Sequence, residues 1–275
     1  MTALLHAERL SKSFGPIQVL ADISLDLASS EVHAVIGENG AGKSTLMKLL
    51  AGAEQPSDGR ILLDGAPVRF ASPADAERHG VVLVPQEQLL APQLTVAENM
   101  FLGAELRRGP FLDRPAMRRR ARDQLTDLNC VADPDALVAR LSIAERQLVQ
   151  IARALLKPHR VVILDEPTAV LTPVESNALF RAVARLKAAR VGVLYISHRL
   201  PEVAAIADRV TVLRDGRHVA THPRGVLMEI DMARLMVGRE LSAIFPPKPP
   251  APAGDPVLSV ADISVPGFVA TAAFD

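Results

Sequence analysis

Gly37-Glu38-Asn39-Gly40-Ala41-Gly42-Lys43-Ser44 fits the pattern G-x-x-x-x-G-K-[ST] in full. These residue types at this spacing suit a polyphosphate. The glycines let consecutive backbone N–H groups turn inward around a phosphate without Cβ clashes. Lys43 has the reach and charge for the β- and γ-phosphates, Ser44 offers a hydroxyl to Mg²⁺, and Thr45 can donate to the α-phosphate. Further along, the acidic pair Asp165-Glu166 closes an apolar run. Beside a phosphate loop, Asp165 suits Mg²⁺, held through water, and Glu166 suits the proton of an attacking water. Taken alone, the same pair reads as a strand end that caps the next helix.

These side chains need elements to position them. Val32-His33-Ala34-Val35-Ile36 is a short apolar run and predicts a buried parallel strand feeding the glycine loop. A helix from Ser44 to about Leu50 then turns its positive end toward the anion. Val161-Val162-Ile163-Leu164 predicts a central strand whose end brings Asp165 beside the loop. Between the two motifs, Ser142-Ile143-Ala144-Glu145 has the S-x-x-E form of a capping box. It predicts a helix to about Leu156 with its apolar stripe at Leu148, Ile151, Ala152 and Leu155. Its start is a second candidate anion site, although most such boxes simply cap a helix.

The rest of the chain supplies further strands and helices. Leu4-Leu5, Val19–Leu27 and Val81–Val84 read as strands, and Asp64-Gly65 and Asp215-Gly216 as hairpin turns, the first between Ile61–Leu63 and Pro67–Phe70. Residues from about 87 to 140 are expected to be mostly helical, with a box at Thr95 and Glu98 and a polar helix from Arg114 to Leu128. Thr172-Pro173-Val174-Glu175 starts another helix, to about Ala188.

Composition narrows the function classes. The 275 residues suffice for one full α/β core plus a remnant. Lys and Arg number 31 against 31 Asp and Glu, so no strong field favours nucleic acid, and Asp123 and Asp127 dilute the arginine run at Arg118-Arg119-Arg120. Cys130 is the only cysteine, which excludes internal disulfides and cysteine-type metal clusters and agrees with a reducing compartment. Met1 to Leu10 carries His6, Glu8 and Arg9 and does not read as a signal peptide. No apolar run approaches the roughly 18 residues that cross a bilayer.

With these motifs in place the chain resembles an ATP-binding-cassette (ABC) ATPase over essentially its whole length. Leu141-Ser142-Ile143-Ala144-Glu145 stands where that family has its LSGGQ signature, and Asp165 and Glu166 match its Walker B aspartate and catalytic glutamate. Gln86, in Val84-Pro85-Gln86-Glu87, matches the Q-loop; His198, in Tyr195-Ile196-Ser197-His198-Arg199, matches the switch histidine. Phe14, in Ser11-Lys12-Ser13-Phe14-Gly15, sits where an aromatic ring stacks on adenine. More narrowly, the chain is similar to the first cassette of tandem ATPases from ribose-, galactose- and xylose-type importers. It shares their LSI-type signature, Thr172 in place of the usual D-loop aspartate, and segments like Thr95-Val96-Ala97-Glu98-Asn99 and Met236-Val237-Gly238-Arg239.

The resemblance implies an α/β fold: a P-loop NTPase core with an antiparallel β subdomain and a helical subdomain at about residues 87–157. It implies ATP and Mg²⁺ as ligands, with Phe14, the loop from Gly37 to Thr45, and Ser142 (toward a partner's nucleotide) touching the nucleotide. Ser44, Gln86 and Asp165 would serve Mg²⁺, with Glu166, His198 and Gln86 catalytic. Implied partners are a second cassette paired head to tail, integral membrane permease subunits and, indirectly, a periplasmic or extracellular sugar-binding protein; no nucleic acid is expected. The place of work would be the cytoplasmic face of the membrane. A soluble tandem ABC ATPase acting on ribosomes or nucleic acid is the alternative, resembled less because here the linker is short and proline-rich.

The end of the chain departs from a single cassette. Phe245-Pro246-Pro247-Lys248-Pro249-Pro250-Ala251-Pro252 reads as a stiff linker. After it, Val257-Leu258-Ser259-Val260-Ala261-Asp262-Ile263-Ser264 resembles Leu4–Ser11. The expected layout is a nucleotide-binding domain at 1–245, a linker at 246–256, and the truncated start of a second cassette at 257–275. A disordered tail is the other possibility. Ala144 replaces a signature glycine, and its methyl group is expected to weaken the nucleotide site that this signature completes.

Overall fold

A computed structural model describes residues 3–238, 260–265 and 269–274. The chain forms two compact units, Met1–Gly238 and Arg239–Asp275. The first opens with β1 (Leu5–Phe14), β2 (Ile17–Leu27), β3 (Val32–Ile36), α1 (Lys43–Leu50), β4 (Asp58–Leu63), β5 (Ala66–Val68), α2 (Pro73–Arg78) and β6 (Val81–Val84). Its middle holds α3 (Val96–Phe101), β7 (Arg107–Arg108), β8 (Phe111–Leu112), α4 (Arg114–Asp127) and α5 (Ile143–Leu156). It ends with β9 (Val161–Asp165), α6 (Pro173–Ala188), β10 (Gly192–Ile196), α7 (Leu200–Ile206), β11 (Arg209–Arg214), β12 (Arg217–Pro223) and α8 (Glu229–Val237).

Every residue of β3, β9 and β10 is buried, which suits strands covered on both faces. They lie in a six-stranded sheet of order β12-β11-β3-β10-β9-β6, parallel except for the edge pair β11–β12. The pleat divides their side chains. Val161, Ile163, Leu194 and Ile196 join Leu46, Met47 and Leu50 of α1 and the inner residues of β1, β2 and β4 in one core. Val162, Leu164, Val193 and Tyr195 join Leu148 and Val149 of α5, Leu179 and Val183 of α6, and the inner faces of α3 and α4 in another. Strands β2-β1-β4-β5 form a separate antiparallel sheet. The parallel sheet core, the antiparallel β sheet and the helical region that the resemblance implies are therefore all present.

Several boundaries differ from expectation. β1 runs well past Leu5 to Phe14, paired on both sides by β2 and β4. β5 ends at Val68 rather than Phe70. The stretch from 87 to 140 is less helical than expected: Gly109, at φ 62, and Pro110 turn the chain into the small β7–β8 hairpin, and much of the remainder is irregular. In the second unit β13 (Val260–Val265) and β14 (Val269–Phe274) pair antiparallel. The proposed linker at 246–256 lies outside the described residues.

Candidate nucleotide site

The glycine loop leaves β3 and enters α1 at Gly42, the helix N-cap, whose φ of 94° lies in the left-handed region. No side chain caps α1 and its first turn holds no acid, so its leading N–H groups remain available to an anion. Gly37 is required for a different reason. A Cβ there would lie 2.4 Å from the Leu213 carbonyl oxygen on β11, so this glycine admits a neighbouring strand rather than a phosphate. Glu38, Asn39 and Gly40 are exposed, Ala41 and Gly42 are buried, and Ser44 and Thr45 are half-buried. The buried Lys43 arches back over the loop, donating from Nζ to the carbonyls of Gly37 (2.8 Å) and Glu38 (2.9 Å). Burial lowers its pKa, against the opposing charges of Glu166 and Asp165.

Asp165 ends β9 and is only 5 % exposed. Burial raises its carboxyl pKa, while a hydrogen bond from Ser44 and the charge of Lys43 act the other way. Its Oδ1 is buried without a hydrogen-bond partner. Glu166 follows in a left-handed conformation, φ 50, unusual for a side chain of this size and held by an N–H bond to the Ile196 carbonyl (3.0 Å). Its Oε2 lies 2.9 Å from Nδ1 of His198. The sheet order explains that pairing. β10 lies between β3 and β9, so His198 leaves the sheet between the glycine loop and Glu166. Asp165 therefore reaches the loop across an intervening strand.

Gln86 is exposed beyond β6. It lines a groove of about 710 Å³ whose wall also includes Ser44, Asp165, Lys48 and Gln150. Sequence reasoning missed Gln150. From α5 it donates to the carbonyls of Pro85 (2.8 Å) and Glu87 (3.2 Å) and accepts from Leu89 N–H (2.7 Å), so it holds the Gln86 loop. Its one signal was a glutamine between the apolar pairs Leu148-Val149 and Ile151-Ala152.

Among the described residues no hydrogen bond or ion pair joins Phe14 or Ser142 to the Lys43–Asp165–Glu166–His198 cluster. Phe14 ends β1, is 46 % exposed, and has the Lys12 ammonium 4.7 Å from its ring centroid. Ser142 is the N-cap of α5 in a complete capping box. Its N–H and its hydroxyl both donate to Glu145 Oε2, each at 2.8 Å, so both are already engaged. Ala144, the residue at the signature glycine position, is half-buried. It packs against the helical core, whereas Ile143, 60 % exposed, stands out beside Ser142.

A profile of the ABC transporter family matches residues 20–169, more than half of the chain. The chain belongs to the ABC transporter family. It is 45 % identical over 273 residues to a putative ribose/galactose/methyl galactoside import ATP-binding protein of Agrobacterium fabrum, covering 99 % of this chain and 54 % of that protein. A ribose import ATP-binding protein of Rubrobacter xylanophilus is 48 % identical over 264 residues, covering 96 % and 53 %. The chain thus spans about half the length of the curated relatives it matches. Among solved structures, an ATP-binding cassette of an ABC transporter in its ADP conformation aligns with a TM-score of 0.72 at 26 % identity, covering 89 % of this chain and 99 % of that one. A nucleotide-free cassette aligns with a TM-score of 0.71 at 25 % identity, covering 88 % and 97 %. This ABC family chain therefore has the cassette fold, and no described helix is long and apolar enough to cross a membrane.

Proposed function

We propose that this chain is an ATP-hydrolysing subunit of an ABC importer, coupling MgATP turnover to carbohydrate uptake through separate membrane permease subunits. The observation that supports it most is the convergence, at the C-terminal ends of β3, β9 and β10, of Lys43, Ser44, Asp165 and the Glu166–His198 pair at 2.9 Å. Hard oxygen ligands suit Mg²⁺, and the unpartnered Oδ1 of the Asp165 carboxylate, with Ser44 lining the same groove, fits that ion. When bound, it would neutralise charge on the transferred phosphoryl group. Gln86 would approach it from the groove.

The chain's own groups would do the rest. Released from the loop carbonyls, Lys43 would bind the β- and γ-phosphates, and the N–H groups opening α1 would hold their oxygens. Glu166 would take the proton of the attacking water as the bond from the γ-phosphorus to the bridging oxygen breaks, leaving ADP and inorganic phosphate. His198 Nδ1 would orient that carboxylate, its other ring nitrogen facing the γ-phosphate. Phe14 offers a ring face to adenine. The expected attachment is to the cytoplasmic face of the membrane, beside the permease and a second cassette. The two relatives named as sugar-import ATP-binding proteins support the carbohydrate assignment.

Affinity purification of the tagged chain from gently solubilised cells with ATP present tests this proposal. A polytopic permease identified by mass spectrometry is the expected partner. Ribosomal proteins or nucleic acid without a permease would overturn the importer assignment.

A further inference from the structure

Behind the Glu166–His198 pair lies a carboxylate that none of the nucleotide motifs contains. Glu202 stands in the first turn of α7 with its side chain 14 % exposed. Its Oε2 accepts from Thr168 Oγ1 at 2.6 Å and from the Tyr195 hydroxyl at 3.0 Å. Its Oε1 accepts from Arg199 Nη1 at 3.2 Å, and Arg199 Nη2 donates onward to the Ala169 carbonyl at 3.3 Å. Thr168 and Tyr195 are fully buried. These donors come from the segments that matter to the site: Thr168 and Ala169 follow Glu166, Arg199 follows His198, and Tyr195 lies on the strand that ends before His198.

The segment after Glu166 is also tied by the Glu166 N–H bond to the Ile196 carbonyl and by burial of Leu171. Within it Ala169 N–H donates to the Glu166 carbonyl and Leu171 N–H to that of Thr168, and Glu166 itself occupies a left-handed conformation. Such a conformation persists only where its surroundings over-determine it. We propose that Glu202 is a positioning residue that clamps the loop carrying Glu166 against the loop carrying His198, so that the two side chains stay in register. The inference rests on those two residues being the hydrolytic pair. An amide in place of the carboxylate would keep one acceptor oxygen for the three donors of Thr168, Tyr195 and Arg199, and would set an N–H group against the others. A resulting displacement of the pair by a fraction of an ångström would act on turnover more than on nucleotide affinity, because no bond of this network reaches the glycine loop at the end of β3.

The test compares Glu202→Gln and the milder Arg199→Met with wild type, by ATPase kinetics and by hydrogen–deuterium exchange with peptides covering 166–171 and 197–199. Arg199→Met removes only the outer link and leaves Thr168 and Tyr195 bonded to Glu202, so it guards against a variant that merely misfolds. Expected for Glu202→Gln is a fall in kcat of about ten- to a hundredfold with KM for ATP moved by less than about twofold. Arg199→Met should give a smaller fall with the same split, and the double variant should fall no further than Glu202→Gln alone. Exchange should quicken in both peptides and stay unchanged over residues 32–45. Unaltered exchange with full kcat, or exchange quickened throughout the chain with KM and kcat moving together, would overturn the clamp. Wild type inactive toward ATP, or Glu166→Gln as active as wild type, with exchange responding as expected, would instead remove the hydrolytic assignment and leave the clamp standing.

Discussion

Asp165 and Glu166 are neighbours in sequence, yet the fold treats them differently. Burial raises the Asp165 carboxyl pKa and leaves Oδ1 without a partner. A carboxyl whose folded pKa lies above its unfolded value loses stability as pH rises through that interval, and the deficit persists at neutral pH. Asp165→Asn should therefore stabilise the ligand-free chain by about 1 kcal/mol, a few degrees in Tm, and should abolish the added stability that MgATP confers on wild type. Thermal melts with and without MgATP measure both; an Asn variant less stable than wild type would mean that the Ser44 hydrogen bond outweighs burial. Glu166, held in a left-handed conformation by its bond to the Ile196 carbonyl and paired with His198, is proposed to move a proton rather than hold a cation. Glu166→Gln should keep ATP affinity within about threefold while turnover falls by about 10² or more, the range expected when a general base is lost. Equilibrium nucleotide binding beside phosphate release separates the two, and undiminished release removes Glu166 from that role.

At the scale of elements, β3 does more than deliver the glycine loop. Its His33 is buried among strands, with Nδ1 2.8 Å from the Asp26 carbonyl and Nε2 2.7 Å from Thr211 Oγ1. A carbonyl only accepts, so Nδ1 carries the proton and Nε2 must accept from Thr211, whose oxygen lies 2.7 Å from Thr221 Oγ1. Burial, helped by the nearby Arg209 charge, lowers the His33 pKa from 6.5 to about 4. A histidine with a depressed folded pKa contributes stability that is complete above its unfolded pKa and is lost as pH falls through the folded one. The chain should thus lose up to about 3 kcal/mol between pH 6.5 and pH 4 on account of this ring alone. His33→Gln should flatten that part of the Tm-against-pH curve, and a slope identical to wild type would show that other groups govern it. The importance of His33 was not legible in Val32–Ile36, where it reads as one polar residue in an apolar run. What was legible had local causes: continuous apolar strands at β3, β9 and β10, and capping boxes at Thr95, Ser142 and Thr172, all three of which form. The phosphate loop and the acidic pair were legible for the same reason. The grip of Gln150 on the Gln86 loop and the Glu202 network depend on which elements become neighbours, and spacing along the chain does not encode that. The β7–β8 hairpin was lost for a weaker reason, since its Gly109-Pro110 turn signal was passed over in a helical stretch.

For the whole molecule, the open question is what completes the site. The cluster from Lys43 to His198 has no hydrogen bond or ion pair to Ser142 among the described residues, and the start of α5 presents Ile143 to solvent. Val170 and Val174, after Glu166 and at the start of α6, are also exposed apolar residues. Apolar side chains exposed singly are ordinary on a protein surface, and these become informative only if a second chain is shown to cover them. On the proposed head-to-tail pairing, a second cassette would seat its signature over the glycine loop. A chain pairing with its own copy would have to use Ser142 already bonded to Glu145, with Ile143 projecting beside it, so self-pairing should be weak and turnover slow. We therefore expect ATP turnover per chain to rise with protein concentration, and Glu166→Gln with MgATP to move from monomer toward twice the monomer mass in light scattering, while ADP leaves it monomeric. Ile143→Gly should strengthen this pairing, whereas Ala144→Gly, which removes a methyl group from the helical core, should chiefly lower Tm. A turnover per chain that stays constant over a hundredfold range of concentration, with Glu166→Gln monomeric in ATP, would mean that the site is complete within one chain and that the exposed α5 start serves another surface.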